Sequence, residues 1–466
     1  MTERIPRSVF IAAGLLAVSA LGYAAYSRPW YFTSQTYLSG LIFLEFLLAA
    51  VWMYRRIFFP VVLVTFLFAG INLPVGRGWV SARWVVLGVG ALVGLLLVLK
   101  DRMHDFGFFH LVAFFTVLTG LISAAVSQYP QVALLKMLSI LLLFVYAATG
   151  ARVAAIGRES DFFNGLLIGC EIFVGANAGL YALGVEAMGN PNSLGAVMGV
   201  VGAPILLWGV LVGGESSVHR RRLLLYVICI GLLFVSRARA GIAAALFSCA
   251  VLCVASRRYK LLIEGTTLLV IVLAAVALFR PEAVSSLTST VVYKNNNNNE
   301  QSVLASRMSP WQTAVDNIQD HPWFGMGLGT TMNGADADEG QGAFASSGGV
   351  TRENGSSYLA ILAGVGIVGA LPAAILLILL ITKVVRTLSL VHGTERLAHP
   401  AVVLAVVMIA GIVHAAFEDW MFAPGNYLCV FFWSLAFVFN DLASPLARIA
   451  FHWPFRTTQG VISSRP

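Results

Sequence analysis

The stretch Thr351-Arg352-Glu353-Asn354 ends the one long hydrophilic segment of this chain, residues 280–354, and an apolar run begins directly after it at Ser356. Apolar runs of similar length also precede the segment. In lipid every backbone polar group needs a partner inside the protein, which a helix provides within its own turns. The pattern therefore predicts a hydrophilic loop inserted between membrane-spanning helices.

The composition supports this interpretation. Of the 466 residues, 58% are hydrophobic and only 11% are charged, and the mean hydropathy is +0.83. Soluble domains carry about 25% charged residues, so this chain has too few charges to solvate a surface of its size. We therefore predict an all-α polytopic membrane protein, and we exclude the soluble globular classes.

Apolar runs of membrane-spanning length recur along the whole chain. A spanning helix needs roughly 20 residues, so the sequence predicts about 12–14 transmembrane helices and one large loop carrying short helices. The ninth and tenth runs are short for this purpose. The candidate spans are 8–26, 35–54, 57–75, 80–99, 107–126, 131–149, 162–183, 192–213, 222–236, 240–256, 261–279, 356–383, 400–417 and 427–445.

The positive charges are unevenly divided between the two sides of these spans. With the N-terminus in the cytoplasm, twenty of the 30 Lys and Arg residues fall in inner connections and nine in outer ones, and Lys136 lies within a span. Cytoplasmic loops carry such an excess, so we expect both termini inside and the long polar segment outside. Three regions follow, namely a transmembrane bundle 1–279, a periplasmic loop 280–355, and C-terminal helices with a cytoplasmic tail 356–466. Because the charges serve as orientation signals, the net charge of +8 does not indicate nucleic acid.

Several charges on the outer side depart from this rule. Arg237 and Arg239 stand in Ser236-Arg237-Ala238-Arg239-Ala240-Gly241, between two short predicted helices. Charges at membrane depth often mark a ligand site, although these two could also reach lipid headgroups. Arginine binds phosphate in bidentate fashion, while carboxylates and histidine suit proton transfer. We therefore predict diphosphate-binding and catalytic sets on the outer face. The first is Arg237, Arg239, Arg307 and Arg352, and the second is Glu353, His414, Glu418 and Asp419.

The long polar segment contains two local patterns. Ser309-Pro310 precedes apolar residues Trp311, Ala314, Val315 and Ile318 at helical spacing, which predicts a short amphipathic helix starting at Ser309 and lying on the membrane surface. The glycines of Gly325-Met326-Gly327-Leu328-Gly329 follow no strand, so they indicate tight turns and close backbone approach and not nucleotide binding.

His414 and Glu418 are four residues apart, so one helix face could hold both. This spacing is compatible with a structural hydrogen bond between them and equally with a catalytic pair. The sequence leaves both interpretations open.

Taken together, these motifs resemble the O-antigen ligase and polymerase family of bacterial envelopes. The resemblance covers roughly residues 185–440 and depends on the order and spacing of several motifs. They are Gly189-Asn190-Pro191-Asn192-Ser193, Ser236 to Gly241, Ser306-Arg307 with Trp311, Pro322-x-x-Gly325-x-Gly327-x-Gly329, and Glu353-Asn354-x-x-x-Tyr358-Leu359 with Gly364, Gly366 and Gly369.

The resemblance implies a metal-independent glycosyltransferase of the multi-span, GT-C-like type, with no cofactor. Such enzymes take a glycan from undecaprenyl diphosphate at the periplasmic face of the inner membrane and pass it to a hydroxyl group of another molecule. Arg237 and Arg239 would hold the diphosphate, with help from Arg307. The implied partners are the lipid-linked glycan, membrane lipid, and an acceptor glycan or lipid A core, and there is room for a chain-length regulator.

One departure from the family pattern favours one of its branches. Ligases carry a His-Asn pair where this chain has Glu353-Asn354, and the stretch from His414 to Asn426 resembles the exopolysaccharide branch. The sequence therefore predicts a polysaccharide polymerase with Glu353 as the base. The alternatives are a ligase acting on lipid A core or protein, and a transporter or flippase for an envelope lipid. A transporter usually shows internal repeats, and the sequence shows none.

Overall fold

The computed structural model describes residues 35–71, 78–101, 106–127, 129–186, 188, 190–279, 305–329, 355–391 and 394–443, together with residues 19, 22, 23, 26 and 27. The chain divides into two compact units, Met1–Phe58 and Phe59–Pro466. Most of the predicted span 8–26 and most of the long polar segment lie outside the described residues. The first unit contributes one described helix, α1, and a π-helical turn at Tyr54–Phe58.

Most of the helices follow one another with short connections, and the two long intervals lie before and after Ala305–Asp320. In chain order they are α1 Gln35–Trp52, α2 Phe59–Gly70, α3 Gly78–Asp101, α4 Phe108–Ala125, α5 Pro130–Tyr146, α6 Arg152–Ala155, α7 Glu159–Ala182, α8 Pro191–Val197, α9 Ala203–Val212, α10 Ser216–Val235, α11 Arg239–Ala255, α12 Tyr259–Phe279, α13 Ala305–Asp320, α14 Ser357–Ser389, α15 Thr394–Leu397, α16 Pro400–Ala415 and α17 Tyr427–Leu442. Single π-helical turns join α5 to α6 and α8 to α9.

This architecture confirms an all-α polytopic membrane protein. Within the described ranges there is no strand, and six helices or continuous helix pairs are long and apolar enough to cross a bilayer. Helices α11, α16 and α17 are also apolar but shorter. The six long segments are Trp79–Lys100, Phe108–Ala125, Pro130–Ala155, Glu159–Ala182, Pro191–Val212 and Ser357–Ser389.

Helices α16 and α17 form the centre of the second unit. Every side chain from residue 401 to residue 408 of α16 is fully buried, and so are most of those of α17. Helix α16 packs against α11, α14 and α17, while α17 also contacts α2 and α5. The outer helices bury one face and expose apolar side chains on the other, as α3 does with Leu92, Leu96 and Leu99. That pattern is expected of helices whose outer face contacts lipid.

Helix α14 is broken near its start, and the loop that follows α13 fills the break. Gly366 has φ 63° and ψ −173°, which interrupts the helical hydrogen bonds. The amides of Ile367 and Val368 instead donate to the carbonyl oxygens of Pro322 (2.9 Å) and Trp323 (3.1 Å). In return, the loop amides of Met326 and Gly327 donate to the carbonyl oxygens of Ala363 and Gly364 at 3.0 and 2.8 Å. Backbone groups freed by the break are therefore satisfied inside the protein, as a membrane requires.

The glycines of this loop make the contact possible. Gly325, Gly327 and Gly329 all have positive φ, a region that other residues seldom adopt. A Cβ at residue 325 would lie 2.6 Å from the carbonyl oxygen of Ala363. The predicted role of these glycines, tight turning and close backbone approach, is confirmed.

The predicted amphipathic helix exists, but its start was placed wrongly. Helix α13 begins at Ala305, so Ser309 is not its cap and Pro310 lies inside it. Its buried residues are Ala314 and Asn317, whereas Val315, predicted to share the apolar face with Ala314, is exposed. The Ser-Pro pair is a strong local start signal, yet the packing of the preceding turn overrides it. That extra turn places Arg307 on the packed face, one turn before Trp311.

Glu171, a carboxylate inside the apolar helix α7, takes part in a buried ion-pair cluster. Its Oε1 accepts from Nε of Arg222 at 3.1 Å, and its Oε2 contacts Nη2 of Arg221 at 2.8 Å. Nη1 of Arg222 also donates to the carbonyl oxygen of Gly209 at 3.3 Å. The cluster therefore ties α7, α9 and α10 together.

Candidate active site

The turn between α10 and α11 presents the first two predicted arginines. Ser236 Oγ donates to the carbonyl oxygen of Leu233 (2.7 Å) and accepts from the amide of Ala238 (3.3 Å). Arg237 adopts a left-handed conformation with φ 54°, and its side chain is exposed. Arg239 is the first residue of α11 and is half-buried. The predicted break between the two short helices is thus confirmed.

Close glycine packing fixes the position of this turn. A Cβ at Gly195 in α8 would lie 2.2 Å from Cβ of Ala238, and one at Gly199 would lie 2.3 Å from the carbonyl oxygen of Gly241. Small residues of this kind let two helix backbones approach closely in a membrane. Helix α8 therefore supports the backbone that presents Arg237 and Arg239.

The third predicted arginine is held between two elements. A guanidinium Nη2 of Arg307 forms an ion pair with Oε1 of Glu418, and each side chain is 15% exposed. One turn along α13, Nε1 of Trp311 donates to the carbonyl oxygen of Gly355 at 3.1 Å. Gly355 has φ 66° and lies close to Trp311 and the Arg307 stem. The packed face of α13 is therefore held against the residues that begin α14.

Ser357 holds the turn that carries Glu418. This fully buried side chain donates from Oγ to the carbonyl oxygen of Glu418 at 2.7 Å. The same Oγ accepts from the amides of Trp420 and Met421, each at 3.0 Å. The first turn of α14 and the turn after α16 are therefore joined through one hydroxyl group, a role that sequence reasoning missed.

His414 and Glu418 do not share a helix face. Helix α16 ends at Ala415, and Glu418 lies in the turn beyond it, so the predicted arrangement is wrong. The physical reason is that the turn is bonded to Ser357 and cannot continue the helix. His414 is buried, and its Nδ1 accepts a hydrogen bond of 2.7 Å from Nε1 of Trp420. In the neutral ring the proton therefore resides on Nε2, which makes His414 a donor.

Four of the predicted site residues converge at this end of the bundle. Arg239 lies within electrostatic range of Arg307, and His414 does as well. Arg307 in turn contacts Glu418. Two guanidinium groups, one carboxylate and one imidazole thus come from α11, α13, α16 and the turn after α16.

The other four residues predicted for the site lie in different places. Asp419 adjoins Glu418 in sequence and acts electrostatically on Lys136 of α5. Arg237 is on the same turn as Arg239 but faces outward. Arg352 and Glu353 lie outside the described residues.

Two cations near this cluster were not assigned to the site from sequence. Lys136 in α5 and Arg83 in α3 lie within electrostatic range of each other. The signal was present in the sequence, because Lys136 was a charge inside an otherwise apolar span. Within the described part of the chain, no three His, Cys, Asp or Glu side chains form a group that could hold a metal ion.

This arrangement suits an anionic ligand. Two arginines lie near one carboxylate here, and guanidinium groups match the geometry of phosphate oxygens. The nearby histidine N–H could bind a further oxygen atom.

Comparison with known proteins agrees with the motifs. No curated protein matches the chain. Residues 224–374 match the family described as O-antigen ligase. The matched region holds Arg237, Arg239, Arg307 and the loop glycines, while His414, Glu418 and Asp419 come from beyond its end. The match at residues 224–374 supports the resemblance to the O-antigen ligase and polymerase family.

Proposed function

We propose that this protein is a polysaccharide polymerase that transfers a glycan from undecaprenyl diphosphate to a hydroxyl group of an acceptor glycan. The reaction takes place at the periplasmic face of the bacterial inner membrane, with both termini in the cytoplasm. The observation that carries the proposal is the convergence of Arg239 and Arg307 beside Glu418 and His414 at one end of the helix bundle.

The arginines would bind the diphosphate of the donor. Arg239 and Arg307 are both partly buried, so their electric field is less screened than it would be in bulk water. Arg237 and Arg352 would complete the anion site. The polyprenyl tail would remain among lipid-facing helices while the diphosphate lies at the arginine cluster.

The reaction is a substitution at the anomeric carbon of the donor glycan. The acceptor oxygen forms a bond to that carbon, and the bond from the carbon to the diphosphate oxygen breaks. Undecaprenyl diphosphate leaves with the electron pair, and the proton of the acceptor hydroxyl passes to a base. Negative charge develops on the leaving diphosphate, where fixed guanidinium groups stabilise it most in the transition state.

We assign the base to Glu353. It stands two residues before Gly355, whose carbonyl group contacts Trp311 on the helix that carries Arg307. Glu418 contacts Arg307, and His414 in its observed bonding presents a donor. These two residues and Asp419 would position the acceptor hydroxyl group and the sugar around it.

A ligase that delivers a finished glycan to lipid A core or to a protein is the second candidate. The description of the matched family, O-antigen ligase, favours it. The Glu353-Asn354 pair, in place of the His-Asn pair of ligases, favours the polymerase. Both reactions use the same donor site.

The deciding experiment uses the purified protein in lipid nanodiscs with an undecaprenyl-diphosphate oligosaccharide, first alone and then with lipid A core. The polymerase should produce a ladder of longer lipid-linked glycans from the donor alone. Arg239→Gln and Glu353→Gln should each abolish the ladder. Arg258→Gln, at an exposed arginine in the turn after α11, is the matched control and should leave the ladder intact.

The other outcomes are equally informative. Transfer that begins only when lipid A core is added would replace polymerase with ligase. If the donor is not consumed under either condition by folded wild-type protein, the glycosyltransferase proposal is wrong and a transporter becomes the better explanation.

A further inference from the structure

A buried indole contacts the histidine of the candidate site. Nε1 of Trp420 donates a hydrogen bond of 2.7 Å to Nδ1 of His414, and only 3% and 2% of the two residues' surfaces are exposed. An indole nitrogen always carries its hydrogen and cannot accept a hydrogen bond. The contact therefore requires a bare Nδ1, which leaves the proton of the neutral ring on Nε2.

The protein fixes Trp420 through both its backbone and its ring. Its amide donates to Oγ of Ser357 at 3.0 Å, and its ring packs edge-on against Phe432 of α17 with ring centres 5.7 Å apart. A Cβ at Gly411 of α16 would lie 3.5 Å from Cη2 of the indole, so the ring lies directly against that helix. The indole therefore cannot turn away from His414 without disturbing the packing of α16 and α17.

The same turn connects His414 to the arginine cluster through a series of direct contacts. Oγ of Ser357, which accepts from the amide of Trp420, donates to the carbonyl oxygen of Glu418 at 2.7 Å. The carboxylate of Glu418 in turn pairs with Arg307. Nε2 of His414 makes no hydrogen bond to any residue of the described ranges. Its N–H is therefore available to a ligand.

This arrangement is the opposite of the one that makes histidine a base. Where a carboxylate accepts from Nδ1–H, Nε2 is bare and can take a proton from the substrate. In this protein the indole N–H occupies Nδ1 of His414, and Nε2 already carries a proton. While the bond to Trp420 persists, His414 has no bare nitrogen to offer to an acceptor hydroxyl group.

We propose that Trp420 is a positioning residue that holds His414 as a hydrogen-bond donor to an oxygen atom of the acceptor sugar and prevents it from acting as the base. The inference rests on the proposed function, because it describes how that reaction uses His414. The proton of the acceptor hydroxyl must then pass to another residue, in agreement with the assignment of the base to Glu353.

The test compares two buried tryptophans that bond to neighbouring residues. Trp433 of α17 is fully buried, and its Nε1 donates at 2.7 Å to the carbonyl oxygen of Met421, the residue after Trp420. Trp420→Phe and Trp433→Phe each remove one indole hydrogen bond, but only the first frees His414. Glycan transfer per folded molecule in nanodiscs should fall about 10–100-fold in Trp420→Phe, because the ring is no longer oriented, and much less in Trp433→Phe. Equal losses would show a purely structural role and overturn the inference.

A double variant shows whether Trp420 acts through His414. Glutamine at residue 414 carries an amide N–H near the position of Nε2 and needs no indole to set its proton. In the His414→Gln background, Trp420→Phe should therefore change transfer by no more than about twofold, whereas Trp433→Phe should have the same effect in both backgrounds. The same large loss from Trp420→Phe in both backgrounds would contradict the proposal.

Magic-angle-spinning NMR measures the tautomer without reference to activity. The protein is prepared in lipid bilayers with isotope-labelled histidine nitrogens, and the signals of His414 are those missing from His414→Gln. Wild type and Trp433→Phe should both show a protonated Nε2 and a bare, hydrogen-bonded Nδ1. Trp420→Phe should lose the shift that this hydrogen bond causes at Nδ1. A protonated Nδ1 in wild type would overturn the inference.

Failure of the proposed function gives a different result. If folded wild-type protein transfers no glycan, the proposed function is wrong and the role of His414 toward an acceptor is wrong with it, while the NMR spectrum still decides the tautomer. If wild type transfers glycan and Trp420→Phe behaves like Trp433→Phe, only the role of Trp420 is wrong.

Discussion

Two ion-pair clusters in this protein have similar residues and different surroundings. In the Glu171 cluster, both carboxylate oxygens contact arginines, and the side chains of Arg222 and Glu171 are only 3% and 8% exposed. In the Glu418 cluster, Arg307 and Glu418 are each 15% exposed, and a second arginine, Arg239, lies within range. The ion pair of Glu171 and Arg222 is closed to solvent, whereas the ion pair of Glu418 and Arg307 is partly open to solvent.

The difference separates a structural ion pair from a candidate binding site. A buried pair whose groups bond each other stabilises one helix arrangement and admits no ligand. A partly open pair beside a second arginine remains accessible from solvent. Sequence patterns alone would not distinguish them, since each consists of a carboxylate and arginines near helix ends.

The largest effect should come from breaking the closed cluster. Glu171→Ala leaves Arg222 buried without its carboxylate, so we expect the free energy of unfolding to fall by about 3–5 kcal/mol. Unfolding in mixed detergent micelles, followed by circular dichroism, measures the change. Glycan transfer per folded molecule should stay near wild type. A loss below about 1 kcal/mol would show that the cluster is not a structural anchor.

Breaking the ion pair of Arg307 and Glu418 should affect activity more than stability, the reverse of the result expected for Glu171→Ala. Arg307→Gln should lower the rate of glycan transfer by about 10²–10³-fold, the usual effect of removing one group that stabilises developing charge. Stability should fall less than in Glu171→Ala, because Arg307 and Glu418 are more exposed than Arg222 and Glu171. Initial rates and unfolding curves on the same preparation provide the comparison with Glu171→Ala. Full activity of Arg307→Gln would remove this residue from the site.

A smaller effect should follow from loosening the turn that carries Glu418. Ser357→Ala leaves the amides of Trp420 and Met421 without their acceptor, and we expect a loss of about 1–3 kcal/mol in the free energy of unfolding. Ser356→Ala is the matched control, because the side chain of Ser356 makes no capping hydrogen bond to α14. Equal stability of the two variants would mean that Ser357 does not hold the turn.

The smallest effect should come from an ion pair exposed to water. Lys260 and Glu264 are 3.7 Å apart on α12, with 90% and 59% of their side chains exposed. Lys260→Gln should change stability by less than about 0.5 kcal/mol and leave activity unaltered. A larger loss would indicate that exposure is a poor guide to the energetic role of ion pairs in this protein.

Much of the candidate site could be predicted from residue type and topology. Charges that violate the positive-inside pattern indicated Arg239 and Arg307, and the structure brings these two together. The pairing of His414 with Glu418 could not be predicted correctly. Whether a helix continues past Ala415 depends on a hydroxyl group of Ser357, which lies far away in the sequence.

The sequence by itself determined that this chain is a bundle of membrane helices, because hydrophobic length is a local property that the bilayer selects. It also determined where glycines were needed, although not what they would contact. The tertiary structure alone decided which charges meet. Arg307 with Glu418, Lys136 near Asp419, and the loop that fills the break in α14 join residues tens to hundreds of positions apart. Such contacts depend on the packing of whole helices, and no local pattern encodes that packing.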